Sequence, residues 1–307
     1  MVDAIVRLRD SIRSVYMGNH DAVDRLVCCL LARGHALIED VPGVGKTVLA
    51  TALARSIEGK FTRVQMTPDL LPSDVLGVSI FDRDRQDFVL RKGPIFTNIL
   101  LADEINRTTP RTQTALLEAM NEAQISLDGQ LLPLDQPFMV LATQNPYEFE
   151  GTYPLPENQL DRFLMRISLG YPSFDDEVRV LDQRPAQNAL VGIEPIMHAD
   201  DIVGFQRQVD DIRVDRALLE YVVQLATRSR EAQQLRVGLS PRGSLALMQA
   251  ARATAFYAGR DFVIPEDILD NVHAVCAHRM VTRGQASSPE AVGELLDSLV
   301  ASLKSPA

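Results

Sequence analysis

The residues that most constrain this chain run from His35 to Thr47: His35-Ala-Leu-Ile-Glu-Asp-Val-Pro-Gly-Val-Gly-Lys-Thr47. The apolar run Ala36 to Ile38 predicts a buried strand. A Pro/Gly turn follows, and Lys46-Thr47 open a helical pattern that continues from Val48 to Ile57. Strand, glycine loop, Lys-Thr and helix together predict a phosphate site. Glycines let backbone N–H groups crowd around an anion, and a helix N-terminus adds partial positive charge. Lys46 is then expected to reach the β/γ-phosphates and the Thr47 hydroxyl to bind Mg²⁺. The pattern G-x-x-x-x-G-K-[ST] is not met in full, because Asp40 stands where the first glycine belongs.

Ile99-Leu-Leu-Ala-Asp-Glu104 is the matching element. Four apolar residues predict a buried strand with two carboxylates at its C-terminal end, where ligands sit in open parallel α/β sheets. Asp103 is expected to hold Mg²⁺, through water. Glu104 is expected to orient and polarise the attacking water. Phe138 to Thr143 predicts another buried strand ending in Gln144-Asn145-Pro146, which reads either as a plain turn or as bringing a polar side chain beside the γ-phosphate.

Two hairpins interrupt this pattern. Val78 to Phe81 and Phe88 to Arg91 flank the charged tip Asp82-Arg-Asp-Arg-Gln-Asp87, which reads either as a solvated turn or as a binding element. Gln124 to Leu127 and Leu131 to Leu134 flank Asp128-Gly129, a strong turn signal. The stretch Arg184 to Gly192 reads as a linker. Beyond it no strand pattern remains, and helical patterns run over 199–209, 215–230, 241–258, 265–281 and 289–303. Ser240 can cap the third of these. Arg242 sits in its first turn, where the dipole disfavours a cation, so it reads either as aimed at an anion or as solvent-facing. His20 and His35 read as structural or solvent-facing, and His273, Cys276 and His278 do not share a helix face that could hold a metal.

Composition limits the rest. The chain has 307 residues, 46% of them hydrophobic, which suits one large or two modest domains of a soluble protein. Its three cysteines are too few for a disulfide framework. The opening residues lack an apolar core and no run is long enough to span a bilayer, so neither a signal peptide nor a membrane span is expected and the cytoplasm is the default. A net charge of −10 argues against broad nucleic-acid binding, which depends on Lys and Arg neutralising phosphates.

These stretches resemble the MoxR-type AAA+ ATPases. The resemblance is carried by Glu39 to Thr47, Thr67-Pro-Asp-Leu-Leu-Pro-Ser-Asp74, Gly93-Pro-Ile-Phe96, Leu101-Ala-Asp-Glu-Ile-Asn-Arg107 and Thr112 to Met120. It continues in Ala142-Thr-Gln-Asn-Pro146, Glu150 to Pro156, Gln159-Leu-Asp-Arg-Phe163 and Leu239-Ser-Pro-Arg242. It implies an α/β nucleotide-binding domain over 1–185 with a parallel sheet, followed by an all-helical lid over 193–307. It also implies a helix-2 insert hairpin at about 74–93 and a pre-sensor hairpin at about 123–137, both facing a ring pore. By resemblance, ATP lies on Asp40, Val41, Pro42, Gly43, Val44, Gly45, Lys46 and Thr47. Asn145 matches the sensor of the hydrolytic water, and Arg242 the lid sensor of its own subunit's γ-phosphate. Arg162 matches the finger that reaches a neighbour's nucleotide, with Arg107 and Arg166 as further inter-subunit candidates. By the same resemblance a homo-oligomeric ring, a hexamer, would remodel a protein client, with a von Willebrand factor A-domain protein as partner. Two other readings stay open. One is a nucleotide-dependent scaffold with little turnover, and the other a nucleic-acid-stimulated motor or loader.

Overall fold

The computed structural model describes residues 2–41, 43–145, 151–183, 190, 192–283 and 289–304. Pro42, Pro146, Glu150 and most of the expected linker lie outside them. Two helices, α1 (Val2–Val15) and α2 (His20–Leu31), precede β1 (Ala36–Glu39), α3 (Lys46–Ser56) and β2 (Phe61–Gln65). A short α4 (Pro72–Leu76) leads into the hairpin β3 (Gly77–Asp82) and β4 (Asp87–Lys92). Then come β5 (Ile99–Asp103), α5 (Pro110–Glu122), the hairpin β6 (Gln124–Leu127) and β7 (Gln130–Pro133), and β8 (Met139–Gln144). The α/β part closes with α6 (Glu157–Leu160), β9 (Met165–Ile167) and α7 (Phe174–Gln183).

Five strands form one parallel sheet in the order β2-β5-β8-β1-β9. Their near-continuous apolar sequences follow from this, since a parallel sheet is covered on both faces. Successive side chains point to opposite faces. Ile38, Ile99, Leu101, Met139 and Leu141 therefore join a core with α1, α2 and α3. Leu37, Leu100, Ala102, Val140 and Ala142 join a second core with α5 and the bases of the hairpins. Asp128 and Gly129 both take positive φ, 51° and 78°, as a tight two-residue hairpin turn requires. The β3–β4 tip is closed by Asp82, whose Oδ1 accepts the backbone N–H groups of Asp84 and Arg85. Phe81 and Phe88 pair edge to face beneath it and remain exposed.

The lid contains α8 (Ala199–Asp210), α9 (Arg216–Glu231), α10 (Pro241–Tyr257), α11 (Pro265–Cys276) and α12 (Pro289–Ala301). Ser240 caps α10, accepting from the Gly243 N–H at 3.0 Å. One detail corrects the expectation of an all-helical lid. Leu235–Val237 (β10) pairs antiparallel with Val281–Thr282 (β11). Strands of three and two residues are too short to produce a readable alternation. The helix expected to run to 281 accordingly ends at Cys276, and a 3₁₀ turn, Ala277–Arg279, carries the chain into β11.

The lid and the α/β part share one hydrophobic core, with Leu26, Leu30, Ile202, Leu247, Ala251, Val272 and Leu296 in a single cluster. Polar contacts fix the seat. Gln206 Nε2 donates to the Leu30 carbonyl at 2.8 Å, and the Tyr257 hydroxyl to Asp24 at 2.8 Å. Arg279 is buried and spans the junction, with Nε on Asp161 Oδ1 at 2.8 Å and Nη2 on the Phe163 carbonyl at 2.6 Å.

His35 has the structural role expected of it. Its Nδ1 accepts from the Val140 N–H at 3.0 Å and its Nε2 donates to the Met120 carbonyl at 2.9 Å. Burial pushes its pKa down to about 4, against the opposing pull of the Met120 carbonyl. The unfolded chain titrates His35 near 6.5, so it binds more protons than the native state between these values. Stability is therefore whole above that range and falls as pH drops through it. His35 alone is expected to cost about 2 kcal/mol at pH 5 relative to pH 7.5. Urea midpoints at the two pH values check this, with His35→Asn removing that share of the difference.

Candidate active site

Two glycines shape the described part of the loop between β1 and α3. Gly43 and Gly45 hold φ of 88° and 89°, the left-handed region that suits glycine. A Cβ on Gly45 would also lie 3.2 Å from the ring of Tyr16, which packs over the loop. Gly45 caps α3 without any side-chain hydrogen bond, and no acidic residue lies in the first turn. The first N–H groups of α3 are thus left for an anion.

Asp40 explains the missing glycine. Its side chain is turned away from the loop's mouth, and Oδ2 accepts the backbone N–H groups of Leu169 (2.6 Å) and Gly170 (2.7 Å) and the Ser168 hydroxyl (3.1 Å). It ties the loop to the chain leaving β9. Lys46 Nζ donates to the Asp40 carbonyl at 2.7 Å. Burial lowers the Lys46 pKa, while Asp40, Asp103 and Glu104 pull the other way.

Asp103 ends β5 and faces the same cleft, of about 360 Å³, as Gly43, Gly45, Lys46, Thr47, Glu104, Thr143 and Asn145. Asp103 Oδ1 accepts the Thr143 hydroxyl at 2.6 Å. Glu104 sits at φ 59°, a left-handed position uncommon for a side chain with a Cβ, and its N–H donates to Thr143 Oγ1 at 2.8 Å. Glu104 Oε2 accepts from Gln65 Nε2 at 2.8 Å and from Arg107 Nη1 at 3.0 Å. Arg107 is thus engaged within its own chain. So is Arg166, which pairs with Glu39 at 3.2 Å.

Two arginines lie elsewhere. Arg162 and Arg242 both line a larger cavity, of about 940 Å³, between the lid and the α/β part. Arg162 Nη1 donates to the Leu117 carbonyl at 2.7 Å, and its Nε is buried without a partner. Among the described residues, none of the lid lines the cleft that holds Lys46 and Asp103. Arg242, expected beside its own subunit's γ-phosphate, lines the larger cavity instead. The physical reason is the lid's seat on α2 and β9, which brings the start of α10 to the Arg162 side.

Sequence reasoning passed over Arg63, Gln65 and Thr143. All three line the phosphate cleft. The available signal was the alternation on β2, where two polar residues two apart share a face on a strand otherwise read as structural.

Residues 35–165 match the family described as ATPase family associated with various cellular activities (AAA), and residues 227–299 match an AAA lid domain. The Chaperone MoxR1 of Mycobacterium tuberculosis is 38% identical over 96% of this chain and 80% of its own. This chain belongs to the MoxR family of AAA+ ATPases. The uncharacterised protein YeaC of Bacillus subtilis is 49% identical over 90% of this chain and 87% of its own. A crystal structure of a candidate ATPase from Cytophaga hutchinsonii superposes with a TM-score of 0.90 at 35% identity, covering 100% of this chain and 96% of that one. The MoxR fold is thus an α/β domain with a parallel sheet and a helical lid. Among the described residues, no helix is long and apolar enough to cross a membrane.

Proposed function

We propose that this MoxR-family chain hydrolyses ATP in the cleft between α3 and β5, and that it does so as a homo-oligomeric ring that remodels a protein client. One observation carries the reading. Lys46, Thr47, Asp103, Glu104 and Asn145 face one cleft, whereas Arg162 opens onto a different one. The first set suits binding and attack, and the second suits a neighbour's nucleotide.

Thr47 and Asp103 offer oxygen donors on the same cleft, which fits Mg²⁺ arriving on a nucleotide's phosphates, since that ion takes one or two carboxylates together with phosphate oxygens. When bound, Mg²⁺ would neutralise charge on the phosphates. The chain's own residues do the rest. The free N–H groups at the start of α3 cradle the phosphates. Lys46 leaves the Asp40 carbonyl for the β/γ-phosphates. Glu104 accepts a hydrogen bond from the attacking water and polarises it, and Asn145 fixes that water's position. Arg162 and Arg242 stabilise charge on the neighbouring subunit's γ-phosphate, the cavity they share supporting a role in trans for both. We assign Arg242 to the neighbour's nucleotide, where the family resemblance assigned it to its own subunit's.

The remodelling role takes its support from the relative named a chaperone. The cytoplasm is the compartment we assign, and a von Willebrand factor A-domain protein is the partner we expect beside the ring. The test is ATPase rate per subunit against protein concentration, with sizing in the presence of ATP and Mg²⁺. A specific rate that rises steeply as rings form is expected. A flat, negligible rate in assembled rings would favour the scaffold reading. Stimulation by nucleic acid with a steep salt dependence would favour the motor reading.

A further inference from the structure

Strand β2 lies at one edge of the sheet, paired to β5 with Gln65 opposite Asp103 and Arg63 opposite Leu101. Residues two apart on a strand share a face. The guanidinium of Arg63 therefore stands beside the Asp103 carboxylate at the cleft. Its Nε and Nη2 both donate to Asp103 Oδ2, at 3.1 and 2.6 Å, and the other oxygen is taken by Thr143. Both oxygens of the carboxylate assigned to the metal are thus occupied by donors from the chain itself.

The two ends of this ion pair differ. The Asp103 side chain is 14% exposed and held on its inner oxygen, while Arg63 is 48% exposed. A guanidinium does not lose its proton in a protein. It can free Asp103 Oδ2 only by moving, and its exposure on an edge strand leaves it room to move into solvent.

We propose that Arg63 is a counter-ion latch on the metal position: it neutralises Asp103 in the nucleotide-free chain and is displaced only by a divalent cation carried on nucleotide. The inference rests on the nucleotide-site reading above. Two consequences separate it from a purely structural ion pair. A divalent cation without nucleotide must compete with a cation already on Asp103, so it is held weakly. A nucleotide without metal meets a neutralised Asp103 instead of a bare carboxylate facing its phosphates. Among the described residues, Lys46 and Glu104 are the other charged groups lining the cleft, and Arg107 is engaged with Glu104. None of them replaces Arg63 on Asp103 Oδ2. Arg63 is thus a positioning residue acting through Asp103.

The test uses the full chain and two measurements that need no turnover. Free Mn²⁺ is followed by electron paramagnetic resonance as Mn²⁺ alone is added to nucleotide-free protein, and ATP affinity is measured separately in excess EDTA. Arg63→Gln is expected to bind Mn²⁺ alone about threefold tighter or more, and to bind metal-free ATP weaker by a similar factor. Arg63→Lys keeps the charge and is expected to stay close to the wild type in both. An Arg63→Gln chain that matches the wild type in both titrations overturns the latch, as does Arg63→Lys behaving like Arg63→Gln. If the wild type binds ATP neither in EDTA nor with Mg²⁺, the nucleotide-site reading falls and the latch with it. Wild-type binding with an unchanged Arg63→Gln sinks the latch alone.

Discussion

Replacing Arg162 with Ala is expected to lower ATP turnover by ~10³–10⁵-fold while leaving nucleotide affinity unchanged, the range seen when an arginine acts in trans in related phosphate-loop enzymes. Phosphoryl transfer offers little covalent chemistry to a protein, so positioned charge supplies most of the rate. Arg162 lines the cavity under the lid and is absent from the cleft that holds Lys46 and Asp103. Its only described side-chain hydrogen bond goes to the Leu117 carbonyl, so its loss should leave the cleft intact. Mixing Arg162→Ala with Lys46→Ala, which loses nucleotide binding, is expected to restore part of the activity. Mixed interfaces then pair an intact cleft with an intact finger. No recovery in stable mixed rings would move the finger to another arginine, with Arg242 the first to examine because it lines the same cavity.

Glu104→Gln is expected to bind ATP as the wild type does and to lose turnover by ~10²–10⁴-fold, the usual contribution of a positioned general base. The substitution keeps the side chain's shape and its hydrogen bond with Gln65, but removes the charge that polarises water. Binding by equilibrium titration and single-turnover hydrolysis separate the two effects. Equal turnover in both proteins would support the scaffold reading. The left-handed backbone of Glu104 and its bond to Thr143 are untouched by this change, so a drop in thermal midpoint is not expected.

The parts of the site that were legible in the sequence are those built from contiguous residues. The β1–loop–α3 unit is read from Ala36 to Ile57 because apolar run, glycines and Lys-Thr follow one another along the chain. The acids at the end of β5 are legible for the same reason. The Asp128-Gly129 turn is local too, and both residues adopt the positive φ that their types favour. The role of Asp40 was less legible. A missing glycine marked the position, but its partners Ser168, Leu169 and Gly170 lie about 130 residues away, at the end of a strand on the far side of β1.

By itself the sequence determined a strand–glycine-loop–helix unit, two acids at a strand end and a following helical lid. Local propensity and hydrophobic period fix such elements before any long-range contact forms. Only the tertiary structure decided which polar groups meet them. The edge position of β2 sets Arg63 on Asp103 and Gln65 on Glu104, and that pairing depends on strand order, which no single strand's residues encode. The seat of the lid on α2 turns Arg242 toward Arg162 and away from the cleft that holds Lys46 and Asp103. That seat is set by non-directional burial of apolar surface shared by both parts, so the side on which Arg242 emerges is a property of the packed whole.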